Sequence, residues 1–343
     1  MAFVRTVLGD IDPGELGFTH THEHLLCDLS LPLPAEATVA QRRSDEEPIT
    51  LENYYRVRRE HPTSDLRLHS EDEAIEAMTE YREAGGGAVV EATPIGLGRD
   101  PEGLARISRA TGVPVVMGAA FYYRPYHPAW LDDWDERTIA DSIIGDVTEG
   151  VGETGIRSGI IGEVGLGWPH HPVEERVLRG AVIAQRETGA PLLIHPGRDP
   201  QSPFRAMQLV EEGGGDPGRT VMSHVERTVF GVDAMRALAD TGCYIEYDLF
   251  GQESSYYSMA PLDMPNDATR VDYIVDLFEH GAGERVLVAQ DICHKSHMRR
   301  YGGEGYTHIL EHIVPLMRRK GLSAEQIDQV TRRNPATVLA FAS

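Results

Sequence analysis

The sequence predicts an α/β fold of the (β/α)8 TIM-barrel class: one domain spanning 1–343, with a short N-terminal hairpin and a long loop after the first barrel strand. Three observations predict it. Eight short apolar runs recur along the chain, and helical stretches separate them. Such alternation means parallel neighbours joined by crossover connections. A length of 343 residues houses these units in one domain, which suits a closed barrel better than an open doubly wound sheet. The first strand is also followed by no glycine-rich phosphate-binding loop, the mark of the nucleotide-binding alternative.

Taken in order, the opening residues through Asp12-Pro13-Gly14 read as a hairpin leading into the first buried strand. That strand carries Phe18-Thr19-His20-Thr21-His22-Glu23-His24-Leu25. From about 29 to 68, prolines, arginines and acids alternate without period, an excursion of the length that usually forms a functional lid or stays disordered. Ser70 then caps a helix with an acidic first turn, and Gly85-Gly86-Gly87 stops it. The second strand is 88–93. Asp100-Pro101 starts the next helix as N-cap and first-turn proline, and Gly112 ends it. The third strand is 113–118, the helix after it 139–151, and the fourth strand 159–165. A helix over 172–188 leads to the fifth strand, 190–195, and one over 204–210 to the sixth, 220–224. Helices over 232–239 and 268–278 lead to the seventh and eighth strands, 243–247 and 285–291.

Side chains alternate across a strand, so His22 and His24 share a face and can hold one metal ion between them, while Glu23 points away. His-x-His alone is a weak signal, equally met by two hydrogen-bonded histidines. Its company strengthens it. In a barrel of this kind the site lies at the C-terminal strand ends, and the polar residues found there are His22, His24, Glu163, His195, His224 and Asp291. Four imidazoles and two carboxylates suit two borderline divalent ions such as zinc. Other histidines read as decoys. His20 is expected on the inward face one step deeper, either packed or supporting a ligand from behind. His308-Ile309-Leu310-Glu311-His312 fits an inverted zinc-protease pattern, but on a helix outside the barrel and without a third ligand. His170-His171 sits in a loop, and Cys27 and Cys293 read as buried thiols.

With these stretches in view, the sequence resembles the amidohydrolase superfamily, specifically the phosphotriesterase-related branch of the phosphotriesterase family. The matching stretches are Thr21-His22-Glu23-His24-Leu25, Gly159-Ile160-Ile161-Gly162-Glu163, Ile194-His195-Pro196-Gly197-Arg198, Val221-Met222-Ser223-His224, Glu246-Tyr247-Asp248-Leu249-Phe250-Gly251, Asp291-Ile292 and Tyr301-Gly302-Gly303. The resemblance implies two metal ions per chain, with His22, His24 and Asp291 on one, His195 and His224 on the other, and Glu163 bridging. It departs from the phosphotriesterases proper, which bridge with a carboxylated lysine. The only lysines here are Lys295 and Lys320, so no carbamate can form on the fourth strand, and organophosphate hydrolysis becomes doubtful as the native activity.

A bridging hydroxide attacking a carbonyl or phosphoryl, with Asp291 as ligand and base, is the chemistry such a centre implies. There is no Gly-x-Ser-x-Gly nucleophile elbow. Arg198 follows His195, and Lys295, Arg299 and Arg300 follow Asp291; they are expected either to bind an anionic substrate end or to pair with surface acids. The resemblance points to amide hydrolysis of N-acetyltaurine-like N-acyl amino compounds, with Tyr122 at the position where the branch also has a tyrosine, polarising the substrate oxygen. A lactonase, phosphodiesterase or organophosphate esterase on the same metals is the alternative; a non-catalytic small-ligand-binding protein is the third reading.

Composition limits the partners. Apolar residues make up 41% and charged residues 25%, ordinary globular usage. The net charge of −22 argues against nucleic acid and anionic membranes as partners. No signal-peptide core or membrane-spanning run is evident. Cys27, Cys243 and Cys293 make no disulfide framework. The expectation is a cytoplasmic enzyme with a small-molecule substrate; a homodimer is compatible with it.

Overall fold

The computed structural model describes residues 2–253, 257 and 259–341. The hairpin expected first in the chain is β1 (Val4–Thr6) against β2 (Gly9–Ile11). Its Val4, with Leu16 just beyond, is fully buried among Val90, Val116, Leu193 and Leu287, so this opening segment closes the floor of a barrel.

The barrel is an eight-stranded parallel sheet whose neighbours follow chain order. Its strands are β3 (Thr19–Glu23), β6 (Ala88–Glu91), β7 (Val115–Ala119), β8 (Ile160–Gly165), β9 (Leu192–His195), β10 (Thr220–Met222), β11 (Tyr244–Tyr247) and β12 (Val286–Val288). The two ends meet where the Thr21 hydroxyl donates to the Val288 carbonyl at 3.4 Å and the Asp291 amide to the His22 carbonyl at 3.2 Å. Alternation sorts the strand residues between two cores. Val90, Val116, Leu193 and Leu287 fill the interior, while Val89, Val115, Ile194 and Val286 face the helices.

The crossover helices are α3 (Glu71–Glu83), α4 (Pro101–Thr111), α5 (Glu136–Thr148), α6 (Pro172–Thr188), α7 (Ser202–Glu212), α8 (Val232–Ala239) and α9 (Asp267–Glu279); α10 (Val314–Arg319), α11 (Ala324–Asp328) and α12 (Asn334–Leu339) follow β12. Local chemistry sets their ends. Asp100 accepts the Gly103 amide at 2.9 Å to start α4, and Gly112, at φ +69°, ends it. His171, one of the loop decoys, is the cap of α6: its ring accepts the Val173 amide at 3.2 Å. No helix among the described residues is long and apolar enough to cross a membrane.

The excursion after β3 has more structure than its irregular sequence suggests. It contains α1 (Val39–Asp45), started by a Thr38/Gln41 capping box, and α2 (Tyr54–Glu60). Its neck is a two-stranded sheet, β4 (Cys27–Asp28) antiparallel to β5 (Arg67–Leu68).

Candidate metal centre

Interior alternation carries the chemistry up to the barrel mouth. His195 is in phase with Leu193, and Asp291 with Leu287, so both reach the interior at the C-terminal strand ends. On β8 a register shift between Ile161 and Val164 brings Glu163 inward. His224 leaves β10 at φ +52° and Asp291 leaves β12 at φ +48°, each in the left-handed region that non-glycine residues seldom occupy. On β3 the register shifts between His20 and Glu23. This corrects the expectation for His20: it does not share the inward face of His22 and His24, but packs outward on the Tyr81 ring of α3, 4.8 Å between centroids.

Three groups of donors lie close enough to share a cation: His22, His24 and Asp291; Glu163, His195 and His224; and His22, His224 and Asp248. Glu163 Oε1 faces His24 Nε2 at 3.6 Å, and Asp291 Oδ1 lies 3.1 Å from that nitrogen and 3.9 Å from His22 Nε2. Glu163 Oε2 faces His195 Nδ1 at 2.7 Å and both His22 Nε2 and His224 Nε2 at 3.6 Å, with the His195 and His224 nitrogens 2.9 Å apart. Ligands on one tetrahedral zinc, bonded at about 2.0–2.1 Å, sit about 3.4 Å apart. The spacings of 3.1–3.9 Å fit donors sharing a cation, the shorter ones at His195 are hydrogen-bond contacts, and His22 Nε2 is a fully buried nitrogen with no hydrogen-bond partner. The residues present can hold metal.

A further set of residues fixes which ring atoms face inward, as second partners of metal-binding histidines commonly do. The Thr93 hydroxyl donates to Glu91 at 2.6 Å and so accepts from His24 Nδ1 at 2.8 Å, which leaves Nε2 as the inward lone pair. Asp248 spans the outer nitrogens of two rings, 3.1 Å from His22 Nδ1 and 2.8 Å from His224 Nδ1. Burial opposes charge on these rings, yet Glu163 and Asp248 hold His22 well above the ordinary imidazole range, and Asp291 and Asp248 raise His24 and His224. His195 goes the other way, pushed well down by burial. Burial would raise Glu163, but His195 and His22 hold its carboxyl well below the usual range.

The centre opens into a cavity of about 780 Å³. Tyr122 and Arg198 both line it. The Tyr122 hydroxyl is 3.4 Å from His195 Nδ1, and burial pushes its pKa well up, so it stays a neutral donor. Arg198 Nε donates to the Tyr257 hydroxyl at 2.8 Å. Lys295 is not brought to the cavity lining; its ammonium lies over the Tyr301 ring at 5.9 Å. Arg299 pairs with Glu311 at 2.6 Å and Arg300 with Glu76 at 2.5 Å, so that part of the basic rim is a paired surface. His308 is paired to Asp267 at 2.8 Å outside the barrel. Cys27 and Cys293 are buried, and burial pushes both thiols well up.

Sequence reasoning gave no role to Asp248, Glu91, Thr93 or Arg227. Glu246-Tyr247-Asp248 did contain a signal, two carboxylates at strand period on the seventh strand. Arg227 had none: in Glu226-Arg227-Thr228 it reads as an ordinary solvated charge.

A (β/α)8 barrel with clustered imidazoles and carboxylates at its mouth, opening into a ligand-sized cavity, defines a metal-dependent hydrolase by class. The chain belongs to the phosphotriesterase family, whose sequence model matches residues 2–339. It is 39% identical to the N-acetyltaurine hydrolase of Salmo salar over 346 residues, and 38% identical to that of Homo sapiens over 346, with 98% of both chains covered each time. Among solved structures, a resiniferatoxin-binding protein from Rhodobacter sphaeroides matches with TM-score 0.93 at 34% identity, covering 98% of this chain and 94% of that one.

Proposed function

We propose that the chain is a cytoplasmic hydrolase, one domain over 1–343, that cleaves the amide bond of a small N-acyl amino compound with an anionic tail. N-acetyltaurine is the type of substrate, as the names of the relatives suggest. The convergence of four imidazoles on the Glu163 carboxylate, His24 on Oε1 and His22, His195 and His224 on Oε2, carries the reading. It supports two divalent cations, zinc by donor chemistry: His22, His24 and Asp291 would hold one, His195 and His224 the other, and Glu163 both. Cations held there supply Lewis acidity, polarising a carbonyl and lowering the pKa of water.

The protein's own groups do the rest. Asp291 is the more open of the two carboxylates, with 13% of its side chain exposed against 2% for Glu163. It takes the proton of the attacking water and passes it to the amide nitrogen as the C–N bond breaks. The water oxygen leaves in the acid product, and the amine departs with its acidic tail. Tyr122 donates to the carbonyl oxygen, and the Arg198 fork receives the acid group. Lys295 takes no part in this reading.

The test pairs metal counting with a substrate screen. About two cations per chain are expected, with taurine and acetate released from N-acetyltaurine faster than a lactone or phosphodiester is hydrolysed. Faster turnover of the lactone or phosphodiester replaces the substrate class. One cation or fewer after addition of zinc or manganese removes the binuclear reading.

A further inference from the structure

Arg227 stands at the end of the turn after β10, three residues beyond His224, and is only 2% exposed. A buried guanidinium costs several kcal/mol unless a counter-charge and hydrogen bonds offset it. Elsewhere the fold supplies them: Arg270, fully buried, lies 2.6 Å from Asp267 and 3.3 Å from Glu226. Arg227 has no carboxylate within ion-pair distance among the described residues, and neither has Arg198. Both line the metal-centre cavity.

The hydrogen bonds of Arg227 sharpen the point. Nη1 donates to the Thr228 hydroxyl at 3.2 Å. Nη2 faces His195 Nε2 at 3.1 Å and the Pro196 carbonyl at 3.4 Å. His195 Nδ1 donates to the Glu163 carboxylate at 2.7 Å. A neutral imidazole that donates from Nδ1 to a carboxylate keeps its lone pair on Nε2. The Nη2 donor then meets that lone pair, so the partners of the guanidinium among the described residues are neutral acceptors with no anion among them. A buried cation on a cavity wall with no counter-ion among the described residues is built for an anion that arrives from the cavity.

We infer that Arg227 and Arg198 are the two halves of a clamp for the acid group of the substrate, and that the clamp prefers an aliphatic sulfonate to a carboxylate. This rests on the amide-hydrolase reading. A carboxylate offers two coplanar oxygens and is saturated by one guanidinium fork. A sulfonate offers three oxygens in a pyramid, so two guanidinium groups on different elements can each find an acceptor. Arg198 lies just after β9 and Arg227 just after β10, adjacent strands of the barrel.

The experiment compares N-acetyltaurine, N-acetyl-β-alanine and N-ethylacetamide, which share an N-acylethylamine frame and differ in having a sulfonate, a carboxylate or no acid. Ethanesulfonate and propionate serve as competing ligands, followed by calorimetry on the metal-loaded protein, and metal content is measured in every variant. Wild type is expected to favour the sulfonate. Arg227→Gln should lose about ten- to a hundredfold in kcat/KM on N-acetyltaurine, mostly through KM. The loss should be smaller on N-acetyl-β-alanine and absent on N-ethylacetamide, and ethanesulfonate affinity should fall by the same factor as KM rises. Arg227→Lys should recover part of each effect and covers the case in which the glutamine variant fails to fold. Equal losses on all three substrates with metals retained, or unchanged ethanesulfonate affinity in either variant, overturn the clamp. If wild type hydrolyses none of the amides, the proposed function fails, while ethanesulfonate binding and its dependence on Arg227 still decide the clamp by themselves.

Discussion

At the scale of single residues, Asp291 shows how much arrangement one carboxylate requires. It sits at φ +48°, where a non-glycine residue costs on the order of 1–3 kcal/mol. Glu23 holds it there, accepting the amides on either side: Gln290 at 2.9 Å and Ile292 at 3.0 Å. Glu23 in turn has His20 Nδ1 2.8 Å away. Replacing Asp291 with Asn keeps an oxygen donor but removes the base, so turnover should drop by about 10²–10⁴ while metal content, read by elemental analysis, largely persists. An Asp291→Asn enzyme with its metals and most of its turnover contradicts the proton-transfer role. Glu163→Gln should instead lose metal and activity together. Bicarbonate should restore neither, because Lys295 and Lys320 are the only lysines and neither lies on β8. Full activity with full metal content in that variant contradicts the bridge. The six candidate ligands were legible because each ends an apolar strand. Arg227 was not, because only packing reveals that a charged residue lacks its counter-charge.

At the scale of elements, the helices were most legible where capping residues punctuate them. Asp100-Pro101 and Gly112 bracket α4, and α6 occupies the expected 172–188. Such ends are set by local hydrogen bonds, which sequence order contains. Asp100→Ala should therefore cost about 0.5–2 kcal/mol, seen as a lower urea midpoint with unchanged slope and unchanged metal content. A shift in metal content would mean that α4 supports the centre and not only itself. The excursion after β3 was less legible. Its two helices are seven residues each, too short to show an amphipathic period or to be stable alone. The second of them is held by the segment after β12, with the Tyr54 hydroxyl on the Ser296 carbonyl at 2.7 Å and Arg58 on Glu304 at 2.7 Å. The orientation of His20 was hidden for a related reason: strand alternation assumes an unbroken register, and β3 shifts its register beside that residue.

At the scale of the whole molecule, the candidate ligands come from β3, β8, β9 and the residues just after β3, β10 and β12. A cation bound among them ties together strands from around the barrel. An ion that binds only the folded chain adds about 4.1 kcal/mol when present at a thousandfold its dissociation constant. Chelation should thus lower the melting temperature of the entire domain in one transition. The size of that drop should depend on pH, because imidazole must be deprotonated to ligate. Carboxylates raise His22, His24 and His224 despite their burial. In the metal-free protein their contribution to stability is fully present below the unfolded imidazole value of about 6.5. It fades as pH rises through their raised values. His195, pushed down by burial, acts in the opposite sense, one ring against three. Acidification from pH 8 to 6 should therefore strip stabilisation from the metal-loaded protein while helping the chelated one. Differential scanning calorimetry with and without chelator should show the two melting temperatures converging over that range. A metal-dependent increment that stays constant from pH 8 to 6 contradicts the proposal that protons and cations compete for these nitrogens.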